Sequence, residues 1–105
     1  MMNDLQLNEY QQSALTRLAV EALTPMQAAA LTTCRSHSDM ILLSPTGTGK
    51  TLAYLLPLIE HLQLGVEGVQ AMVIVPSREL ALQIDSVVKS MALPWSVSSI
   101  TSAGK

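Results

Sequence analysis

The sequence is poor in the residues that mark several common classes of protein. It contains no phenylalanine, one tryptophan and two tyrosines, so aromatic residues make up only 3% of the chain. That content is too low for a surface on which successive nucleic-acid bases stack. The single cysteine, Cys34, excludes an internal disulfide and fits a reducing compartment. No apolar run reaches the length of a membrane span, and the N-terminal residues lack a signal-peptide pattern. We therefore expect a cytoplasmic protein without a membrane partner.

Charged residues are also sparse, at 13% of the chain, and the formal net charge is −2. The six lysine and arginine residues are scattered and form no basic stripe, so charge alone does not indicate a nucleic-acid partner. By contrast, apolar residues make up 49% of the 105 residues, which favours a packed core over disorder. The length suits one small domain.

The most informative feature is a glycine-rich segment that follows the apolar run of residues 40–43. Residues 44–51 read Ser-Pro-Thr-Gly-Thr-Gly-Lys-Thr. The two glycines allow a tight turn and a close approach of the backbone to a phosphate, and successive backbone N–H groups then bind its oxygens. Lys50 can reach the β- and γ-phosphates, and the Thr51 hydroxyl can ligate Mg²⁺. The segment predicts a phosphate-binding loop with these candidate nucleotide-binding residues: Thr46, Gly47, Thr48, Gly49, Lys50 and Thr51.

One departure from the strict phosphate-loop pattern is Ser44, which stands where the pattern has glycine. The alternative interpretation is a glycine-rich turn that binds nothing. The order of apolar run, loop and amphipathic helix favours phosphate binding, because a phosphate loop connects a strand to a helix in this way.

Apolar spacing and capping residues predict four helices, over residues 8–20, from residue 24, from 50 to about 64, and from 77 to about 91. Three apolar segments, at residues 40–44, 71–75 and 95–100, predict strands. Because strands and helices alternate, we expect an α/β fold: a parallel sheet of about three strands with helices on both faces. The binding crevice would then lie at the carboxyl ends of the strands.

Three segments together resemble the DEAD-box family of ATP-dependent RNA helicases, and they span essentially the whole chain. Residues 44–51 are similar to the first motif of that family, A-x-T-G-x-G-K-T, with Ser44 in place of Ala. Residues 23–27, Leu-Thr-Pro-Met-Gln, are similar to its adenine-reading Q-motif, and Tyr10 lies 17 positions before Gln27, where the family has an aromatic residue. Residues 76–81, Pro-Ser-Arg-Glu-Leu-Ala, resemble motif Ia, with Ser77 in place of Thr.

The resemblance implies a partial RecA-like P-loop fold in a protein that couples ATP hydrolysis to the unwinding of RNA duplexes. ATP and Mg²⁺ are the implied cofactors. Lys50 and Thr51 are the implied catalytic residues, and Thr51 is also the implied metal ligand.

Two residues have an implied role at the base of the nucleotide, and each has a structural alternative. Gln27 offers both a donor and an acceptor to adenine, but the same side chain can form a capping box with Thr24. Tyr10 can stack on the base, or it can be an aromatic residue at an interface with a solvated hydroxyl group.

The implied RNA-binding residues are Pro76, Ser77 and Arg78. Arg78, at the start of a helix, can hold an RNA phosphate together with backbone N–H groups. The alternative is a solvated charge that pairs with Asp85 or Glu79.

The sequence contains neither the Asp-Glu-Ala-Asp motif nor the Ser-Ala-Thr motif of the family, and no second RecA-like domain. The resemblance therefore implies that residues 1–105 are a fragment, the N-terminal portion of a RecA-like ATP-binding domain. We expect it to bind adenine nucleotide without turnover and to bind RNA weakly. We also expect it to self-associate, either through unpaired strand edges or by swapping its C-terminal segment from about Pro94 onward. The alternatives are a DNA-directed helicase, another P-loop ATPase, and a non-catalytic interaction module.

Overall fold

The computed structural model of the protein describes residues 6–43 and 49–100. Four helices occupy this part of the chain: α1 (Glu9–Arg17), α2 (Pro25–Ser36), α3 (Lys50–Glu60) and α4 (Arg78–Ser90). The four predicted helices are confirmed, although α3 ends at Glu60 rather than near residue 64. None of these helices is long and apolar enough to cross a membrane.

Side-chain caps fix where three of the helices begin. Asn8, Thr24 and Ser77 each accept a hydrogen bond from the backbone N–H three residues later, a donor that has no partner within the helix. In α1 and α2 the capping box is complete, because the side chains of Gln11 and Gln27 accept a hydrogen bond from the N–H of the capping residue. The remaining helix, α3, is capped by Gly49, which has no side chain that could accept a hydrogen bond.

The hydrophobic core is built on α3, against which both α1 and α2 pack. The core cluster comprises residues of α1, residues of α3 and the residue that follows α4: Ala14, Leu15, Leu52, Leu55, Leu56, Ile59 and Met91. Pro57 lies inside α3 and is buried as well. Since α3 begins where the predicted phosphate loop ends, the core holds that end of the loop in place against α1 and α2.

The predicted α/β sheet of about three parallel strands is wrong for the residues that the structure describes. Residues 40–43, 71–75 and 95–100 lie in neither a helix nor a strand, and residue 44 is outside the described ranges. Each segment has a strongly exposed apolar side chain: the exposed fraction is 87% for Ile41, 84% for Ile74 and 88% for Ile100. A strand requires hydrogen bonds to a neighbouring strand. An apolar run has the side chains typical of a buried strand, but its sequence does not show whether a neighbouring strand is present.

Candidate nucleotide-binding site

The predicted phosphate loop is described only at its C-terminal end. Ser44, Pro45, Thr46, Gly47 and Thr48 lie outside the described residues. Gly49 caps α3 in the left-handed conformation, with φ +88° and ψ 27°, and Lys50 and Thr51 are the first two residues of the helix.

The glycine cap leaves the start of α3 open to an anion. Among the residues that the structure describes, no side-chain cap is made at the first turn of α3. The N–H groups of a first helical turn have no partner within the helix, and they carry the positive end of the helix dipole. The Lys50 side chain adds a mobile cation at the same end of the helix. Phosphate oxygens match this set of donors.

Gln27 joins the candidate adenine-reading segment to the end of the phosphate loop. Its Nε2 donates to the Gly49 carbonyl oxygen at 3.2 Å. The same oxygen accepts from the backbone N–H of Ala53, also at 3.2 Å. Gln27 is 6% exposed, so the donor side of this contact is largely shielded from water. Two segments that are 22 residues apart in the sequence are therefore held together.

The capping box fixes the orientation of the Gln27 carboxamide. Its Oε1 accepts from the N–H of Thr24 at 3.0 Å, and its own backbone N–H donates to Thr24 Oγ1 at 3.1 Å. The capping-box alternative is therefore correct as a statement of structure. It does not use up the side chain, because a carboxamide has a second N–H and a second acceptor lone pair.

The backbone at Gly49 lies so close to Gln27 that any other residue at this position would force the Gln27 side chain to shift. A Cβ atom on Gly49 would stand 2.6 Å from Gln27 Nε2. In addition, φ of +88° is a conformation that L residues rarely adopt. Two independent reasons therefore require glycine at this position.

Tyr54 lies one turn after Thr51 on α3, and the sequence analysis missed it. Burial raises the pKa of the Tyr54 phenol above its ordinary value of 10.0, and a hydrogen bond with the Thr51 side chain acts in the opposite direction. The phenol is therefore protonated at neutral pH, with its hydroxyl group beside that of Thr51. The spacing of three residues on one helix face is the signal by which the sequence could have identified it.

Tyr10 is half-buried on α1 and packs against Trp95. The two rings meet edge to face, with centroids 4.9 Å apart and planes at 68°. Trp95 is itself held, because its Nε1 donates to the Gln63 carbonyl oxygen at 3.1 Å. One side of Tyr10 borders an open cleft of about 470 Å³, which Glu9 and Pro94 also line. The described packing is that of an interfacial aromatic residue, and stacking on a base stays a prediction.

The predicted RNA-binding residues lie at the start of α4. Ser77 Oγ accepts from the N–H of Leu80 at 3.2 Å, so Ser77 is the helix cap, and Arg78 is the first residue of α4 and exposed. Asp85, one of the two predicted partners of Arg78, instead pairs with Lys89 at 3.0 Å. Within residues 6–43 and 49–100, no hydrogen bond joins this group to Gln27 or Gly49.

Comparison with known proteins decides the family. The sequence model of the DEAD/DEAH box helicase family matches residues 24–105, a range that includes Gln27, the predicted phosphate loop and residues 76–78. The chain belongs to the DEAD/DEAH box helicase family. In this DEAD/DEAH box chain, Tyr10 precedes the range that the family model matches. That match therefore does not bear on the predicted role of Tyr10 at the base.

Relatives of this DEAD/DEAH box chain are named as RNA helicases. It is 38% identical over 104 residues to the DEAD-box ATP-dependent RNA helicase CshC of Bacillus cereus, an overlap of 99% of this chain and 26% of the relative. It is 40% identical over 81 residues to CshA of Bacillus subtilis, with 77% of this chain and 16% of that protein covered. It is 38% identical over 90 residues to the ATP-dependent rRNA helicase spb4 of Aspergillus clavatus, with 81% and 14% covered. The chain therefore spans about a quarter of the length of CshC and less of the other two.

Proposed function

We propose that this chain is the nucleotide-binding N-terminal portion of the ATP-binding domain of an ATP-dependent RNA helicase. The whole protein would couple ATP hydrolysis to the separation of RNA strands. The observation that supports this proposal best is the hydrogen bond from Gln27 Nε2 to the Gly49 carbonyl oxygen. It supports the proposal because it joins a carboxamide, which can bond the edge of a base, to the last residues of the predicted phosphate loop.

The residues at the start of α3 fit a nucleoside triphosphate and its metal ion. Gly49 lacks the Cβ that would collide with Gln27 Nε2, and it offers the first turn of α3 no side-chain cap. Lys50 would hold phosphate oxygens, and the Thr51 hydroxyl would be a ligand of Mg²⁺. Tyr54 lies near that hydroxyl group on the same face of α3. Bound Mg²⁺ would neutralise negative charge on the phosphates.

In the proposed site, the Gln27 carboxamide would select the base. Its free N–H and free lone pair would meet the acceptor and donor on the edge of adenine, with Tyr10 packed beside the base. The carboxamide orientation is already fixed by Thr24 and Gly49, so its binding to adenine requires little ordering of the side chain.

The first prediction is that the chain binds ADP more tightly than GDP and that Gln27→Glu removes this preference. The substituted carboxylate can still accept from the Thr24 N–H, so the capping box is kept, but it has no N–H to donate. Lys50→Ala is expected to weaken the binding of both nucleotides, because it removes the mobile cation of the loop. Calorimetric titration with each nucleotide measures both effects.

The matched control is Gln83→Glu, because Gln83 is an exposed residue of α4 and this substitution makes the same change in net charge. Equal affinities of the original chain for ADP and GDP would contradict the role of Gln27. Unchanged binding in Lys50→Ala would contradict the phosphate loop itself.

We also propose that Pro76, Ser77 and Arg78 contribute to an RNA-binding surface of the whole protein. The exposed Arg78 at the start of α4 is suited to hold a phosphate. This chain supplies few cations, and few contacts release few counterions.

The second prediction is that single-stranded RNA binds weakly and dissociates at physiological salt, and that Arg78→Ala lowers the residual binding at low salt. Filter binding at low and physiological salt measures this. Arg17→Ala, which removes an exposed cation of α1, is the control. Tight binding that does not respond to salt would contradict the proposal.

We further propose that the chain binds nucleotide without hydrolysing it and that it self-associates. The acidic motif that positions metal and water in the family is absent from residues 1–105, so phosphate release that depends on Lys50 would contradict the first statement. The second statement depends on the exposed apolar segments.

A further inference from the structure

A polar cluster joins three helices at the end of α3 that lies away from Gly49. It consists of Gln11 from α1, Arg35 from α2 and Glu60 from α3, and we call it the polar clamp. Arg35 Nε lies 3.1 Å from both carboxylate oxygens of Glu60. Gln11 Nε2 lies 3.2 Å from Glu60 Oε1. One carboxylate therefore binds donors from two other helices.

Gln11 shows that the clamp has one specific geometry. The residue is fully buried. Its Nε2 also donates to the Leu56 carbonyl oxygen at 2.8 Å, and its Oε1 accepts from the Asn8 N–H at 2.8 Å. A buried carboxamide loses free energy when its partners move, because no water replaces them. The start of α1 is therefore fixed to the last turn of α3.

The clamp and the nucleotide-site contact hold α2 on α3 at two points. Gln27, in the first turn of α2, bonds to Gly49 at the start of α3. Arg35, in the last turn of α2, pairs with Glu60, the last residue of α3. The two helices consequently run in the same direction. The helix between Gln27 and Arg35 is roughly 12 Å long and stiff, so a displacement at one contact is transmitted to the other.

We propose that the polar clamp determines how selectively the chain binds adenine nucleotides. This inference rests on the proposed function. Glu60 and Arg35 touch no nucleotide in this scheme and act as positioning residues. They fix α2 along α3 and thereby set where the Gln27 carboxamide stands relative to the phosphate loop. Through Gln11, they also fix α1, which carries Tyr10.

The test compares Glu60→Ala with Glu67→Ala, an exposed acid in the loop after α3. Both changes remove one negative charge, so the two variants have the same net charge. We expect Glu60→Ala to reduce the ratio of ADP to GDP affinity by about two- to fivefold, which is the range that a partly exposed ion pair supplies. Glu67→Ala should leave the ratio unchanged. Calorimetry of both variants with both nucleotides gives the ratio.

Amide hydrogen exchange tests the same inference without any nucleotide. The Gln27 and Ala53 N–H groups bond to Thr24 Oγ1 and to the Gly49 carbonyl oxygen. If the clamp positions α2, Glu60→Ala will speed exchange at these two amides, at the far end of the helices. Faster exchange confined to the residues around Glu60 would overturn the inference, whatever the nucleotide data show.

The outcomes distinguish this inference from the proposed function. If the original chain does not prefer ADP, the role of Gln27 in base selection fails, and the exchange data alone decide whether the clamp positions α2. If it prefers ADP and Glu60→Ala lowers only the melting temperature, the clamp is merely structural and the inference fails. Glu60→Gln, which keeps an oxygen for Gln11 and Arg35, is the variant to use if Glu60→Ala does not fold, and a smaller change in the same direction is expected.

Discussion

Gly49→Ala is expected to abolish detectable nucleotide binding and to lower the melting temperature on the order of 10 °C. The new Cβ would stand 2.6 Å from Gln27 Nε2, which must then leave the Gly49 carbonyl oxygen. The left-handed conformation adds strain of about 1–2 kcal/mol for an alanine, and the lost hydrogen bond adds about 1 kcal/mol. Calorimetric titration with ADP and a thermal melt measure the two effects.

Gly65→Ala is the matched control for this prediction. Gly65 also has a positive φ, +78°, but no atom lies within 4 Å of the position that its Cβ would take. This substitution therefore introduces backbone strain without a clash. It should lower the melting temperature by a smaller amount and leave ADP affinity unchanged. If both variants bind ADP normally, the close contact between Gly49 and Gln27 is unimportant for the site.

The helices could be predicted because the information that specifies them is local. Thr24, Pro25 and Gln27 stand at the positions of a cap, a first helical residue and a capping box, and α2 begins there. Ser77 likewise caps α4. Every hydrogen bond that defines these starts lies within one turn, so a short stretch of sequence is sufficient to predict it.

The strands could not be judged in the same way, because pairing is a property of distant segments. Residues 71–75 have the apolar composition of a buried strand. Nothing within those five residues states whether a neighbour is present to accept the hydrogen bonds. In the described part of the chain they remain unpaired, and Ile74 is 84% exposed.

For the candidate site, the sequence suggests which residues take part, and that assignment stays a prediction, but it does not give their mutual contacts. The spacing around Gln27 allowed either a capping box or a base-reading role, and the two seemed to compete for one side chain. The structure has the capping box and a bond to Gly49 together, which follows from the separate capacities of the two ends of a carboxamide. The clamp of Gln11, Arg35 and Glu60 was missed, since its members lie up to 49 residues apart.

The exposed apolar residues give the physical basis for expecting the chain to associate with itself. Large apolar side chains that are at least 74% exposed lie in or next to the segments that were predicted as strands: Ile41, Leu43, Val69, Met72, Ile74 and Ile100. Exposed apolar groups of this number are uncommon on monomeric proteins, because burying them against another surface removes them from water. Association no longer requires the predicted strand edges, since the side chains alone provide an apolar surface.

We therefore expect the average mass in static light scattering to rise with protein concentration and Ile74→Lys to reduce that rise markedly. Ile74 is 84% exposed, so the substitution removes little packing within one chain while it places a charge on the apolar segment. Leu82→Lys, at a residue of α4 that is 47% exposed, makes the same change in charge away from this segment and is the control. It should associate as the original chain does. A monomer at every concentration, with a melting temperature that does not depend on concentration, would show that the exposed segments do not bind a second copy.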